Sequence, residues 1–157
     1  MRRLEVGGKW MIALAITALI VSGCSQTSSR TSQGQSSMAQ VGDAKSATLT
    51  GAQEVPAVNT QATGVSTIQV FGDKNVTGSI QTSNIDGTAA HIHQGAAGQN
   101  GPVIIPLVKT APNVWSVQPN TQLSSAQFDA YRAGELYVNV HSAAHPGGEI
   151  RAQLNRP

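Results

Sequence analysis

Four histidines occur in this chain of 157 residues, and they fall in two short stretches. His91 and His93 stand in "TAAHIHQG"; His141 and His145 stand in "LYVNVHSAAHPGGE". In a β-strand, residues two apart point to the same face. Ala89, His91 and His93 therefore project one way, with Ile92 turned to the core on the other. The Cβ atoms of the two histidines should lie about 6.5–7 Å apart, which lets both rings reach one ion through bonds of about 2.0–2.1 Å. "LYVNVHS" alternates in the same manner: Leu136, Val138 and Val140 form an apolar phase, and Tyr137, Asn139 and His141 form a polar one. If the two strands are neighbours, His91, His93, His141 and His145 can meet at one end of the fold as metal ligands. Neutral imidazoles suit copper, zinc or nickel and not calcium or magnesium. The expected ion is copper, with zinc as the alternative.

Other chemistry is weaker. "GAAGQNGP" lacks the strand–helix setting and the Lys-Ser/Thr of a phosphate loop and reads as a turn. No Ser–His–Asp arrangement is recognisable. Glu54 and Glu149 read as structural acids, and Trp115 reads as core or rim. Nothing in the chain demands an enzyme.

The elements that must position these residues are strands. "ATLTGAQ", "VSTIQVFG", "NVTGSIQTS", "TAAHIH", "PVIIPLVK", "VWSVQ", "GELYVNVHS" and "GEIRAQLN" are short, largely alternating, and separated by turn residues. Asp73 and Lys74 mark a hairpin in which Ile68 and Val70 share a core with Val76 and Ile80. The pattern predicts an all-β, antiparallel sandwich or barrel. One short helix is expected near 124–133, with Ser124 or Ser125 as N-cap, Phe128 and Tyr131 on one side, and Gly134 as its stop.

Residues 1–23 read as a lipoprotein signal peptide. Arg2, Arg3 and Lys9 precede "MIALAITALIV", too short for a membrane span of about 20 residues. "VSGC" resembles the bacterial lipobox, which makes Cys24 the lipidated first residue of the mature chain. Residues 24–45 then form a flexible tether, since a Ser/Gln/Thr/Gly-rich segment buries too little to offset its ordering entropy. Residues 46–157 form the folded domain. Cys24 is the single cysteine, so a disulfide framework is excluded. From Cys24 onward seven basic residues are offset by seven acidic ones. No cationic footprint remains for nucleic acid, and that class of partner drops out.

"LTGAQEVPAV", "AAHIHQGAAGQNGPVIIPL" and "ELYVNVHSAAHPGGEIRAQL" together resemble the CHRD domain, named for its occurrence in chordin and present in bacterial exported proteins. The resemblance covers about residues 46–154. It implies an immunoglobulin-like β-sandwich and no established catalytic activity. Where the family often has Ala, Ser or Asn before the proline of its "PxGEIR" stretch, this chain has His145, which makes that residue the least transferable of the four. The H-x-H strand, the later V-x-V-H strand and the following G-x-x-R strand are also similar in layout to the copper site of copper/zinc superoxide dismutase, hence a superoxide-dismutase-like variant of the sandwich. The disulfide and the separate zinc site of that enzyme are not evident here.

Two functions follow as expectations. The first is an exported domain, anchored to the membrane by its lipid, that binds copper through the histidine cluster as a carrier or buffer and deals with a metal-handling partner. The second is a metal-free interaction or structural module of the cell envelope that meets an envelope protein through loops such as 95–102. In either case the expected location is the cell envelope, at the outer membrane, facing the periplasm or the cell surface.

Overall fold

The computed structural model describes residues 46–154. The stretches expected to be signal peptide and tether, Cys24 among them, lie outside the described residues. The strands are β1 (Ala47–Thr50), β2 (Thr63–Ser66), β3 (Gln69–Val70), β4 (Val76–Thr77), β5 (Ser79–Ser83), β6 (Gly87–Gln94), β7 (Val103–Pro106), β8 (Val108–Ala111), β9 (Val114–Ser116), β10 (Leu136–Ser142) and β11 (Ile150–Gln153). A 3-10 turn covers Gly51–Gln53, and the helix α1 spans Ser125–Ala133. Nine strands pair antiparallel in the order β7-β6-β10-β11-β1-β2-β5-β9-β8, and β3 with β4 form a separate ribbon.

The two edges of that sheet, β7 and β8, are consecutive in the chain with only Leu107 between them. Leu107 is buried and donates its N–H to Ala90 O at 2.9 Å. "PVIIPLVK" is therefore two strands and not the single one its sequence suggests. Its first half pairs with β6 and its second with β9. Pro106, which has no N–H to donate, stands at the changeover. This switch carries the chain from one layer to the other and curls the sheet into a near-barrel or flattened sandwich, in keeping with the all-β expectation. Antiparallel closure of this kind leaves little exposed edge.

The interior is filled by apolar side chains from several of the strands. Leu49, Ile80, Leu136, Val138, Val140 and Ile150 have no exposed surface, and Ile92 and Ala90 follow closely. Fully burying one such aliphatic side chain stabilises the fold by about 1.5–3 kcal/mol. Trp115 belongs to this core. The hairpin expected around Asp73 and Lys74 is present: Lys74 adopts φ 70°, and Asp73 Oδ1 accepts from Asn75 N at 3.1 Å. The helix begins at Ser124, whose side chain accepts from Gln127 N while the Gln127 side chain accepts from Ser124 N. This reciprocal pair satisfies two orphan donors of the first turn. Gly134 ends the helix in a left-handed conformation, and Ala130 and Tyr131 pack into the common core. Among the described residues no helix is long and apolar enough to cross a membrane.

Candidate metal centre

β6 and β10 are neighbours. Their register sets Asn139 opposite His91, Tyr137 opposite His93 and His141 opposite Ala89. His91 and His141 are thus diagonal cross-strand partners, close enough for long side chains to meet. With Ala90, Ile92, Val138 and Val140 drawn into the core, alternation sends His91, His93 and His141 to the outer face together. Their ring centroids stand 5.6 Å apart for His91 and His93, 4.8 Å for His91 and His141, and 6.3 Å for His93 and His141.

Hydrogen bonds aim the rings. His93 Nδ1 donates to Gly101 O at 2.9 Å, and His141 Nδ1 donates to Pro146 O at 2.9 Å. Carbonyls only accept, so in the neutral ring each of these histidines keeps its proton on Nδ1 and turns the Nε2 lone pair toward the group. His93 Nε2 is buried and has no partner. His141 Nε2 lies 2.9 Å from His91 Nδ1. Because the former must accept, His91 Nδ1 donates, and one proton sits between the two rings where an ion could bridge them. The donor set for a metal is then His91 Nδ1, His93 Nε2 and His141 Nε2.

One ligand atom from each of these histidines lies within 4.8 Å of the others, a group that could hold a metal ion. Bonds of about 2.0–2.1 Å require nitrogens about 3.3–3.5 Å apart. The close pair must open by about half an ångström and the widest separation must close by about 1.3 Å, which small side-chain rotations accomplish. The chemistry of the donors fits a borderline transition metal. Burial, then the neighbouring His141 and His93, hold His91 below the ordinary imidazole pKa. Burial also lowers His93, against the opposing pull of the Gly101 carbonyl and Asn139. Depressed values keep these lone pairs free of protons to a lower pH than ordinary imidazoles, so less proton competition meets an incoming cation.

His145 is not gathered with the other three. Its N–H bonds to Ser142 O and its carbonyl accepts from Gly148 N, closing a tight turn, while its charge helps hold the Glu149 carboxyl low. That carboxyl is pushed up by burial, but hydroxyls of Ser142 and Thr60 and the His145 ring outweigh it. The turn serves the cluster differently, through the Pro146 carbonyl that orients His141.

Sequence reasoning missed the polar floor beside the cluster. Tyr137 stacks on His93 with centroids 4.7 Å apart and planes 10° from parallel, and the Arg151 guanidinium lies 3.5 Å from the Tyr137 ring. β10 runs between β6 and β11, so Tyr137 separates imidazole from guanidinium. Arg151 is 1% exposed and Glu54 7%. Burial raises the Glu54 carboxyl above its ordinary pKa, and the Arg151 charge only partly offsets this. Glu54 Oε1 and Asn139 Oδ1 are both buried without a partner. Gly148 at φ +131° leaves the room they occupy, since a Cβ there would meet Glu54 Oε1 at 2.5 Å and Asn139 Nδ2 at 2.7 Å. The available signal was the charge itself: Glu54 in "QEVPAV" and Arg151 in "GEIRAQ" sit within apolar surroundings, where ionic groups persist only with partners.

The CHRD domain family matches residues 45–154. No curated protein and no solved structure matches the chain. The match covers most of the sequence, and the chain belongs to the CHRD domain family.

Proposed function

We propose that this CHRD-domain chain binds copper at His91, His93 and His141 and works as an exported, membrane-anchored carrier or buffer of the ion. The observation that supports it is the aim of the rings: two imidazoles give one nitrogen to a backbone carbonyl and turn the other toward a shared point. Such outer partners typically fix the tautomer of a metal-binding histidine and raise its basicity.

Copper is favoured over zinc by the ligand set. Among the described residues no carboxylate or thiolate joins the three neutral imidazoles, and nitrogen donors hold Cu(II) more tightly than Zn(II) in the usual divalent order. Structural zinc sites are closed by four protein ligands, whereas three ligands leave a position open. His91 and His141 are only partly buried, so that position faces solvent, as exchange with a metal-handling partner would require. The anchor belongs to the same proposal: lipidation at Cys24 would hold the domain at the outer membrane.

Calorimetric titration of the purified chain with Cu(I), Cu(II) and Zn(II) tests the reading. Copper should bind more tightly than zinc, and His91→Ala/His93→Ala should reduce copper uptake to background. Equal binding by the double variant would sink the metal site. Mass spectrometry of the chain extracted from membranes tests the anchor by the acyl mass on Cys24.

A further inference from the structure

Three motifs of the sequence, "QEVPAV", "GAAGQNGP" and "GEIR", contribute no ligand to the histidine cluster, yet they converge on one side chain. Arg151 Nη2 donates to Gln99 O at 2.9 Å and to Ala96 O at 3.2 Å, and Nη1 donates to Asn100 Oδ1 at 3.3 Å. Asn100 Nδ2 in turn donates to Val55 O at 2.7 Å. The loop 95–102 is thereby held at successive points on the outer face of the sheet. Immediately after Asn100 comes Gly101, whose carbonyl accepts from His93 Nδ1 and, at 3.4 Å, from the Tyr137 hydroxyl. Its N–H donates to the same hydroxyl at 3.2 Å. Gly101 also passes so close to β6 that a Cβ would lie 1.7 Å from Gln94 O. Only glycine fits that approach.

We propose that Arg151 is a positioning residue for the candidate metal centre, acting through the 95–102 loop to decide which nitrogen of His93 faces the cluster. The role in metal binding rests on the function proposed above; the role in aiming His93 does not. An imidazole with no fixed partner populates both tautomers, and only the form protonated on Nδ1 offers an Nε2 lone pair. The Gly101 carbonyl selects that form, and the carbonyl stays in place because guanidinium and amide grip the residues just before it. Arg is suited to this task by its planar fork, which reaches several acceptors at once. Lys carries the charge but not the fork. A cation this deeply buried, stacked on Tyr137 and directing three of its four side-chain hydrogen bonds to one loop, the fourth going to Gln153, is otherwise a costly thing to keep in a small β domain.

The test is long-range proton–nitrogen NMR of the metal-free full chain at mildly alkaline pH, paired with copper titration. In the unsubstituted chain His93 should carry its proton on Nδ1. Arg151→Lys and Asn100→Ala should each give a mixture of tautomers at His93 and weaken copper binding about 10- to 100-fold, the range typical of lost outer partners. Ile80→Val, which loosens the core far from the loop, should leave the tautomer unchanged. If Arg151→Lys does not fold, Asn100→Ala decides. A folded Asn100→Ala chain that keeps the Nδ1–H form and copper affinity within twofold overturns the proposal. Should the unsubstituted chain take up no copper, the metal reading fails, and the tautomer shift alone judges the clamp.

Discussion

The two halves of the sheet obey the same alternation and use it differently. In β2 and β5 every second residue is open to solvent or partly so, giving burial that alternates along the strand. In β10 six of seven residues are buried, both phases together. The inner phase is apolar in β10, whereas in β2 and β5 it includes the buried hydroxyls of Ser66 and Thr82. The outer phase of β2 and β5 carries Val65, Gln81 and Ser83 in solvent, whereas that of β10 and β11 carries Tyr137, Asn139 and Arg151 beneath the loops 51–59 and 95–102. Polar groups removed from water must find partners. Where β2 and β5 bury a hydroxyl, a nearby backbone group answers it: Ser66 Oγ accepts from Ile68 N, and Thr82 Oγ1 donates to Asn113 O. Under the loops the polar atoms pair across long sequence distances, and three are left over: His93 Nε2, Asn139 Oδ1 and Glu54 Oε1. A strand face becomes a site when it is covered and left incompletely satisfied.

Truncating one side chain on each face gives the strongest test of that contrast. Arg151→Ala strands the carbonyls of Ala96 and Gln99 and removes the cation beside Glu54, and should cost about 3–5 kcal/mol in chemical denaturation, as for other broken buried ionic groups. Gln81→Ala on the open face should change stability by no more than about 0.5 kcal/mol. Comparable losses at both positions would erase the distinction. Metal addition sharpens it next. Copper at one hundred times its dissociation constant should stabilise the unsubstituted chain by about 2.7 kcal/mol through mass action, read as a raised unfolding midpoint, and should do nothing for His91→Ala/His93→Ala. Gly148→Ala comes third. It forces a side chain into left-handed backbone and into the Glu54 and Asn139 groups, for an expected loss of about 1–3 kcal/mol in the same denaturation assay.

The smallest effect is one of pH. The Glu54 carboxyl is raised above its ordinary 4.5, chiefly by burial, so the folded state binds its proton more tightly than the unfolded chain does. Its contribution to stability is complete below 4.5 and is lost as pH rises from there through the higher folded-state value. Glu54→Gln should flatten that part of the stability profile, measured by denaturation across the acidic range. An unchanged slope would mean that water reaches the carboxyl and that the covered face is wetter than its burial implies.

What the sequence by itself determined is local. The period of two along "AHIH" and "LYVNVHS" follows from the geometry of an extended chain, so His91 and His93 had to share a face opposite Ile92. The capping residues Ser124 and Gln127 likewise act within one turn of helix. Tertiary structure alone decided the rest, because pairing between stretches about fifty residues apart depends on how the whole sheet closes. It set β6 beside β10, split "PVIIPLVK" at Leu107, and gathered His141 while leaving His145 to its turn. It also laid two loops over one polar face, which is why Arg151 is buried among backbone carbonyls far from it in the chain.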